Sequence, residues 1–153
     1  MAQAHGIEAI KWFIRMIGET DTFDQAILKS TEVVSAGLDK TVFRVKVLPE
    51  QCNSLGSMHG GALATAIDLL TSCAIMAMPR EGAWESGAGV SRTLSVTYLR
   101  PAACDSYVLF TCKVVSLGKR SACITCDVTS ETTGKVLAIG THDKVGVVPM
   151  SNL

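Results

Sequence analysis

The chain predicts an α+β fold in which one antiparallel sheet curls around a single long buried helix. Two observations carry this. Residues 53–78, NSLGSMHGGALATAIDLLTSCAIMAM, open on a polar, glycine-rich turn and continue as a nearly uncharged run that Pro79 ends. That run is too long for a strand and is rich in Ala, Leu and Met, which favours helix. The second observation is that the flanking segments alternate apolar and polar residues and are joined by short turns, which favours antiparallel neighbours. A helix apolar on nearly all sides must be covered on nearly all sides, and a curled sheet does this.

The elements follow in order. Residues 4–19, AHGIEAIKWFIRMIGE, place Ile7, Ile10, Trp12, Phe13, Ile14 and Ile17 among Glu8, Lys11, Arg15 and Glu19, an amphipathic helix too short and too charged to span a membrane. DTFDQAILK adds a short helical turn. Thr31–Ala36 and residues 40–48 form a hairpin across Gly37-Leu38-Asp39, and Phe43, Val45 and Val47 take one face of its second arm. Pro49 ends that arm. In the central helix Leu63, Ile67, Leu70 and Ala74 fall at helical spacing, and Ser57 is the expected cap. Four strands then follow in a meander. Val90, Leu94, Val96 and Tyr98 share one face of the first, with Ser91, Thr93, Ser95 and Thr97 opposite. Val108, Phe110, Cys112 and Val114 mark the second, and Ala122, Ile124, Cys126 and Val128 the third. Residues 135–148 make the last. The 153 residues suit one domain, with a core at about 31–148 behind an N-terminal helical segment at 1–30.

Into the apolar helix the sequence puts one charge, Asp68. Its neighbours at helical spacing, Ala64, Thr65, Thr71 and Ser72, form a stripe of small and hydroxylic side chains. An ionised carboxylate withdrawn from water needs donors or an adjoining wet cleft. A structural acid bonded to Thr65, Thr71 or Ser72 satisfies that need, and so does a functional acid facing a cleft.

Fourteen basic and fourteen acidic residues balance to a formal charge of zero, so no overall field draws the chain to nucleic acid or an anionic membrane. Six cysteines lie mostly in apolar periodic segments, without a secretory signal, and read as small buried hydrophobes in a reducing compartment. Cys123 and Cys126 stand on opposite faces of one strand and do not grip a metal together. There is no metal motif, nucleophile elbow or phosphate loop. The expected compartment is the cytoplasm, with the mitochondrion open. His5 and His142 are isolated and receive no role.

Read together, Asn53-Ser54-Leu55-Gly56, His59-Gly60-Gly61, Asp68 eight residues after Gly60, Gly89-Val90-Ser91, Val96-Thr97-Tyr98-Leu99-Arg100-Pro101-Ala102, Leu117-Gly118-Lys119 and Gly134-Lys135 resemble the hotdog-fold acyl-CoA thioesterases of the thioesterase superfamily member 2, phenylacetate-pathway type. The resemblance covers residues 43–144. It implies a function in fatty acid metabolism, hydrolysing acyl-CoA to free acid and CoA without a cofactor. Gly60 and Asn53 would polarise the thioester carbonyl, Asp68 would serve as general base or nucleophile, and Ser91 would help hold the water. His59 is a further catalytic candidate, or else only fixes its turn. The two pairs would meet across a subunit interface, so a homo-oligomer is implied, a tetramer as a dimer of dimers. Gly61, Tyr98, Arg100, Pro101, Lys119, Arg120 and Ser121 would bind substrate or coenzyme. One departure is Thr93, beside Arg92, where the family often carries a second polar or acidic residue after the strand serine.

Two other functions compete. A hotdog hydratase or dehydratase would pair a catalytic His with an acid, but here the only nearby His is at the helix mouth and the acid is two turns inside. A non-enzymatic acyl-CoA-binding regulator would keep the pocket and lose the base, and Asp68 argues against it.

Overall fold

The computed structural model describes residues 2–85 and 87–147, with side chains from residue 6 onward. Helix α1 spans Ala2–Gly18 and the short α2 Gln25–Leu28. Strands β1 (Thr31–Ala36) and β2 (Thr41–Lys46) form the expected hairpin, and α3 runs Gly60–Ile75. Strands β3 (Val90–Tyr98), β4 (Tyr107–Leu117), β5 (Ser121–Ser130) and β6 (Val136–Val145) complete the chain. All pair antiparallel in one sheet of order β1-β2-β4-β5-β6-β3.

The meander expectation therefore fails at its first strand. β4, β5 and β6 are consecutive neighbours, but β3 lies at the far edge beside β6, and the chain crosses the sheet between β3 and β4. β4 is claimed on one side by the hairpin arm β2, which leaves β6 as the open edge for β3. Residue 148, placed in the last strand by the sequence, lies outside the described residues.

The sheet curls around α3, whose Leu63, Ala66, Ile67, Leu70, Cys73 and Ala74 are buried with Phe43, Val45, Val108, Phe110, Cys126 and Val128. Ile10 and Ile14 of α1 and Ile27 and Leu28 of α2 join the same core. A single missing side chain lets β6 come close to the helix. A Cβ on Gly140 would sit 2.8 Å from Cγ2 of Ile67. The cysteines divide evenly. Cys73, Cys112 and Cys126 are buried as expected, while Cys52, Cys104 and Cys123 are only half-buried, and all six are free. Among the described residues no helix is long and apolar enough to cross a membrane.

Candidate active site

The loop before α3 is built from local bonds. Gln51, buried to 4 % exposure, donates to Ala26 O at 2.6 Å and so ties the loop to α2. The His59 N–H returns to Gln51 O at 2.8 Å. Asn53 is a turn residue in the ordinary sense, because its Oδ1 accepts from the Leu55 and Ser57 amides at 2.9 and 3.3 Å. Those bonds occupy the amide oxygen, and the Nδ2 hydrogens have no acceptor among the described residues. The cap of α3 is His59 and not Ser57. Its Nδ1 accepts from the Gly61 N–H at 2.9 Å, so that amide, an expected substrate contact, is already engaged. The neighbouring Gly60 N–H has no acceptor among the described residues. The Tyr98 hydroxyl donates to Gly60 O at 2.8 Å, fixing the first peptide of the helix from β3.

Two turns further in, Asp68 meets different partners. Thr65 and Ser72 hydroxyls bond backbone carbonyls, of Gly61 and Asp68 respectively, and Thr71 bonds those of Ile67 and Asp68. The hydroxylic stripe therefore serves the helix and not the carboxylate, as Ser and Thr side chains on a helix commonly do. The carboxylate is 35 % exposed and draws its contacts from the sheet. Ser91 Oγ donates to Asp68 Oδ2 at 2.9 Å. His142 Nε2 lies 3.6 Å from the same oxygen, and Lys144 Nζ lies 3.4 Å from Ser91 Oγ. Oδ1 has no partner among the described residues.

Ser91 reaches the helix only because β3 slips its register. Ser91 pairs with Lys144 and Thr93 with Asp143, so Arg92 is an extra residue in a β-bulge. Strict alternation would turn Ser91 away from Leu94 and Val96. The bulge returns it to their face.

His142 and Lys144, to which the sequence gives no role, both belong to this cluster. They occupy β6 positions on the same face as Ala138 and Gly140, so a period-two reading of that strand would have put two polar residues on the core side. His142 is fully buried, with Nδ1 2.6 Å from Thr71 Oγ1. Burial and the Lys144 ammonium push His142 below its ordinary pKa, against the pull of Asp68 and Asp143. The single hydrogen of the Thr71 hydroxyl is given to the backbone, to Ile67 O at 2.6 Å, so in the neutral imidazole Nδ1–H donates to Thr71 Oγ1, and Nε2 faces Asp68 Oδ2 beyond hydrogen-bond length. Lys144 is 2 % exposed, and burial likewise pushes its pKa down.

Asp68 and Leu69 border two hollows. One of about 740 Å³ is lined by Trp12, Phe13 and Met16 of α1, by Ser72, Cys73 and Met76, and by Ser91 and Lys144. The other, of about 320 Å³, is lined by Phe23, Ala64, Thr65 and Leu94. Among the described residues no group of three or more His, Cys, Asp or Glu is placed to hold a metal ion.

The expected residues thus fall into two groups. Asn53, His59, Gly60 and Tyr98 gather at the helix mouth, while Asp68 and Ser91 sit about 12 Å along the helix, eight residues at about 1.5 Å each. Lys119, Arg120 and Ser121 form the β4–β5 turn at the Ser91 end of the sheet, because Ala122 pairs with Lys144, which pairs with Ser91. The Arg100 side chain donates to Val136 O at 2.7 Å, its one hydrogen bond among the described residues. Pro101 is exposed.

The family model for the thioesterase superfamily matches residues 55–137, a span that holds Gly60, Asp68 and Ser91. The chain belongs to the thioesterase superfamily. Mouse acyl-coenzyme A thioesterase 13 is 35 % identical over 122 residues, covering 80 % of this chain and 83 % of that protein. Human acyl-coenzyme A thioesterase 13 is 31 % identical over 137 residues, covering 90 % and 94 %. Zebrafish thioesterase superfamily member 2 superposes with a TM-score of 0.82 at 33 % identity, covering 92 % of this chain and 97 % of that one. The hotdog architecture expected from the sequence is the one observed.

Proposed function

We propose that this thioesterase is a single-domain enzyme that hydrolyses acyl-CoA to the free acid and CoA in a cleft between two copies of the chain. The observation that carries this reading is the separation of its two half-sites. The Gly60 N–H lies about 12 Å along α3 from Asp68, too far for both to act on one carbonyl within one protomer. A two-fold axis solves the problem by setting the helix mouth of one protomer against the acid of the other. The functional unit is then a dimer, and a tetramer is a dimer of dimers.

In this arrangement the Asp68 Oδ1 takes a proton from water while the water oxygen adds to the thioester carbon. The carbonyl oxygen gains negative charge, which is met by Gly60 N–H and Asn53 Nδ2 of the partner subunit at a helix N-terminus. Collapse of the adduct breaks the C–S bond, and the CoA thiolate leaves with the proton held by Asp68. The hollows on either side of Asp68 suit the two arms of a thioester, the larger one, walled by Trp12, Phe13 and Met16, taking the acyl chain. The exposed Lys119-Arg120-Ser121 turn supplies donors for coenzyme phosphate.

Complementation tests the reading. Asp68→Ala and Asn53→Ala are each purified, shown by thiol release to keep no more than about a hundredth of wild-type activity toward hexanoyl-CoA and palmitoyl-CoA, then unfolded and refolded together. Random pairing gives half mixed dimers, each with one intact site, so about a quarter of wild-type activity returns. If the refolded mixture shows no more activity than the two variants apart although mixed dimers form, the shared site is wrong. A wild type that turns over no thioester refutes the enzyme reading altogether.

A further inference from the structure

Lys144 is an expensive residue for a fold to keep. Its side chain is 2 % exposed, and no carboxylate among the described residues lies within 4.0 Å of it. Its one hydrogen-bond partner among those residues is Ser91 Oγ, at 3.4 Å. A buried ammonium without a close counter-ion destabilises a protein, and an apolar side chain of similar length is the usual better choice for stability. Its surroundings suggest what the charge does. Ser91 pairs with Lys144 across the β3–β6 ladder, and Asp68, Ser72 and Ser91 line the same 740 Å³ hollow as Lys144.

An ammonium can only donate hydrogen bonds, whereas a serine hydroxyl can donate one and accept two. A lysine against Ser91 Oγ therefore decides the direction of the serine. Oγ must accept from Nζ, so its single hydrogen is free only for Asp68 Oδ2, where the oxygens are 2.9 Å apart. That bond pins one carboxylate oxygen and leaves Oδ1 for the proton in flight. The second lone pair of Oγ then faces the cleft as an acceptor, so a water held there gives one hydrogen to Ser91 and the other to Oδ1. Both lone pairs of its own oxygen are left for the thioester carbon.

We propose that Lys144 is a positioning residue for hydrolysis, acting through Ser91 by fixing the serine as donor to Asp68 and acceptor from the attacking water. This rests on the thioesterase reading above and adds to it the direction of every hydrogen bond in the acid half-site. It predicts that the lysine is kept for rate at some expense in stability.

The test is a double-mutant cycle on full-length protein with hexanoyl-CoA, using Lys144→Met, Ser91→Ala and both together, with melting temperatures for all. Lys144→Met is expected to lower kcat about tenfold or more with KM changed less than about threefold. In the Ser91→Ala background the same substitution costs less than about twofold, because its route to Asp68 is gone. The melting temperature of Lys144→Met stays equal to or above that of wild type. Equal losses in both backgrounds, or a melting temperature that falls together with activity, overturn the positioning role while leaving hydrolysis intact. An inactive wild type overturns both.

Discussion

The mouth of α3 and its middle are built in opposite ways. Asn53, His59 and Gly60 lie within eight consecutive residues, and the bonds that fix them run mostly inside the same loop, to Leu55, Ser57, Gly61 and Gln51. Asp68, by contrast, is bonded by a side chain 23 positions away in the chain and faced by one 74 positions away, on two different strands. The first half-site offers backbone and amide N–H groups and no charge. The second concentrates an acid, an imidazole and an ammonium around one serine. A peptide loop can present donors by its own turn chemistry, whereas a base needs an environment, and only tertiary structure supplies one.

Mutations should separate the halves by size of effect. Asp68→Ala removes the proposed base and should lower kcat by about a thousandfold, within the range for general bases. Asn53→Ala removes one of the two proposed oxyanion donors and should cost about a hundredfold, and the remaining Gly60 N–H sets the residual rate. An Asn53 effect equal to that of Asp68 would mean that the turn collapses with it, which a melting curve would reveal. Gly140→Val tests how far the acid half depends on the sheet. The new side chain meets Ile67, pushes β6 from α3 and should destabilise the fold by about 1–3 kcal/mol, with kcat falling as His142 and Lys144 move. Tyr98→Phe deletes only the bond to Gly60 O and should cost about two- to tenfold in kcat/KM. Its melting temperature should barely move.

The smallest effect concerns pH. Burial holds the folded-state pKa of His142 below the ordinary 6.5, so the unfolded chain takes up a proton first as pH falls. The stability contribution of neutral His142 is complete above pH of about 6.5 and is lost progressively between there and its folded value. Thermal melts from pH 8 to 5 should show this loss, and His142→Asn should flatten it. An unchanged slope in that variant would put the sensitivity elsewhere.

The same contrast explains what could be read from the chain. The helix-mouth half was legible because it is contiguous: His59-Gly60-Gly61 before an apolar run fixes a helix start, and Asn53 sits a short turn upstream. Strand spacing likewise revealed the inward faces of β4 and β5, where Phe110, Cys112, Ile124 and Val128 are buried. The acid half was legible only in its acid. Thr71 and Ser72 stood at helical spacing from Asp68, but a hydroxyl on a helix finds a carbonyl of the preceding turn before it finds a neighbouring carboxylate. His142 and Lys144 needed knowledge that β6 crosses beside β3, and short connections argued instead for β3 beside β4. Edge order in a sheet is decided by which strand is already paired, and no local pattern carries that information.

The slip at Arg92 also bears on how freely this stretch can change length. In an unbroken ladder the residue opposite Lys144 would be Arg92, two cations facing one another beside the core. Because the bulge expels Arg92 and seats Ser91 opposite Lys144, the strand has one residue that its pairing does not count. A deletion at the bulge is tolerated where one further along the strand is not. Removing Arg92 or Thr93 restores plain alternation and still leaves Leu94 across from His142 and Ser91 across from Lys144, whereas removing Ser95 would put Leu94 across from Thr141 and turn it off the core face. Gaps in the lineage of this strand should therefore collect at residues 92 and 93.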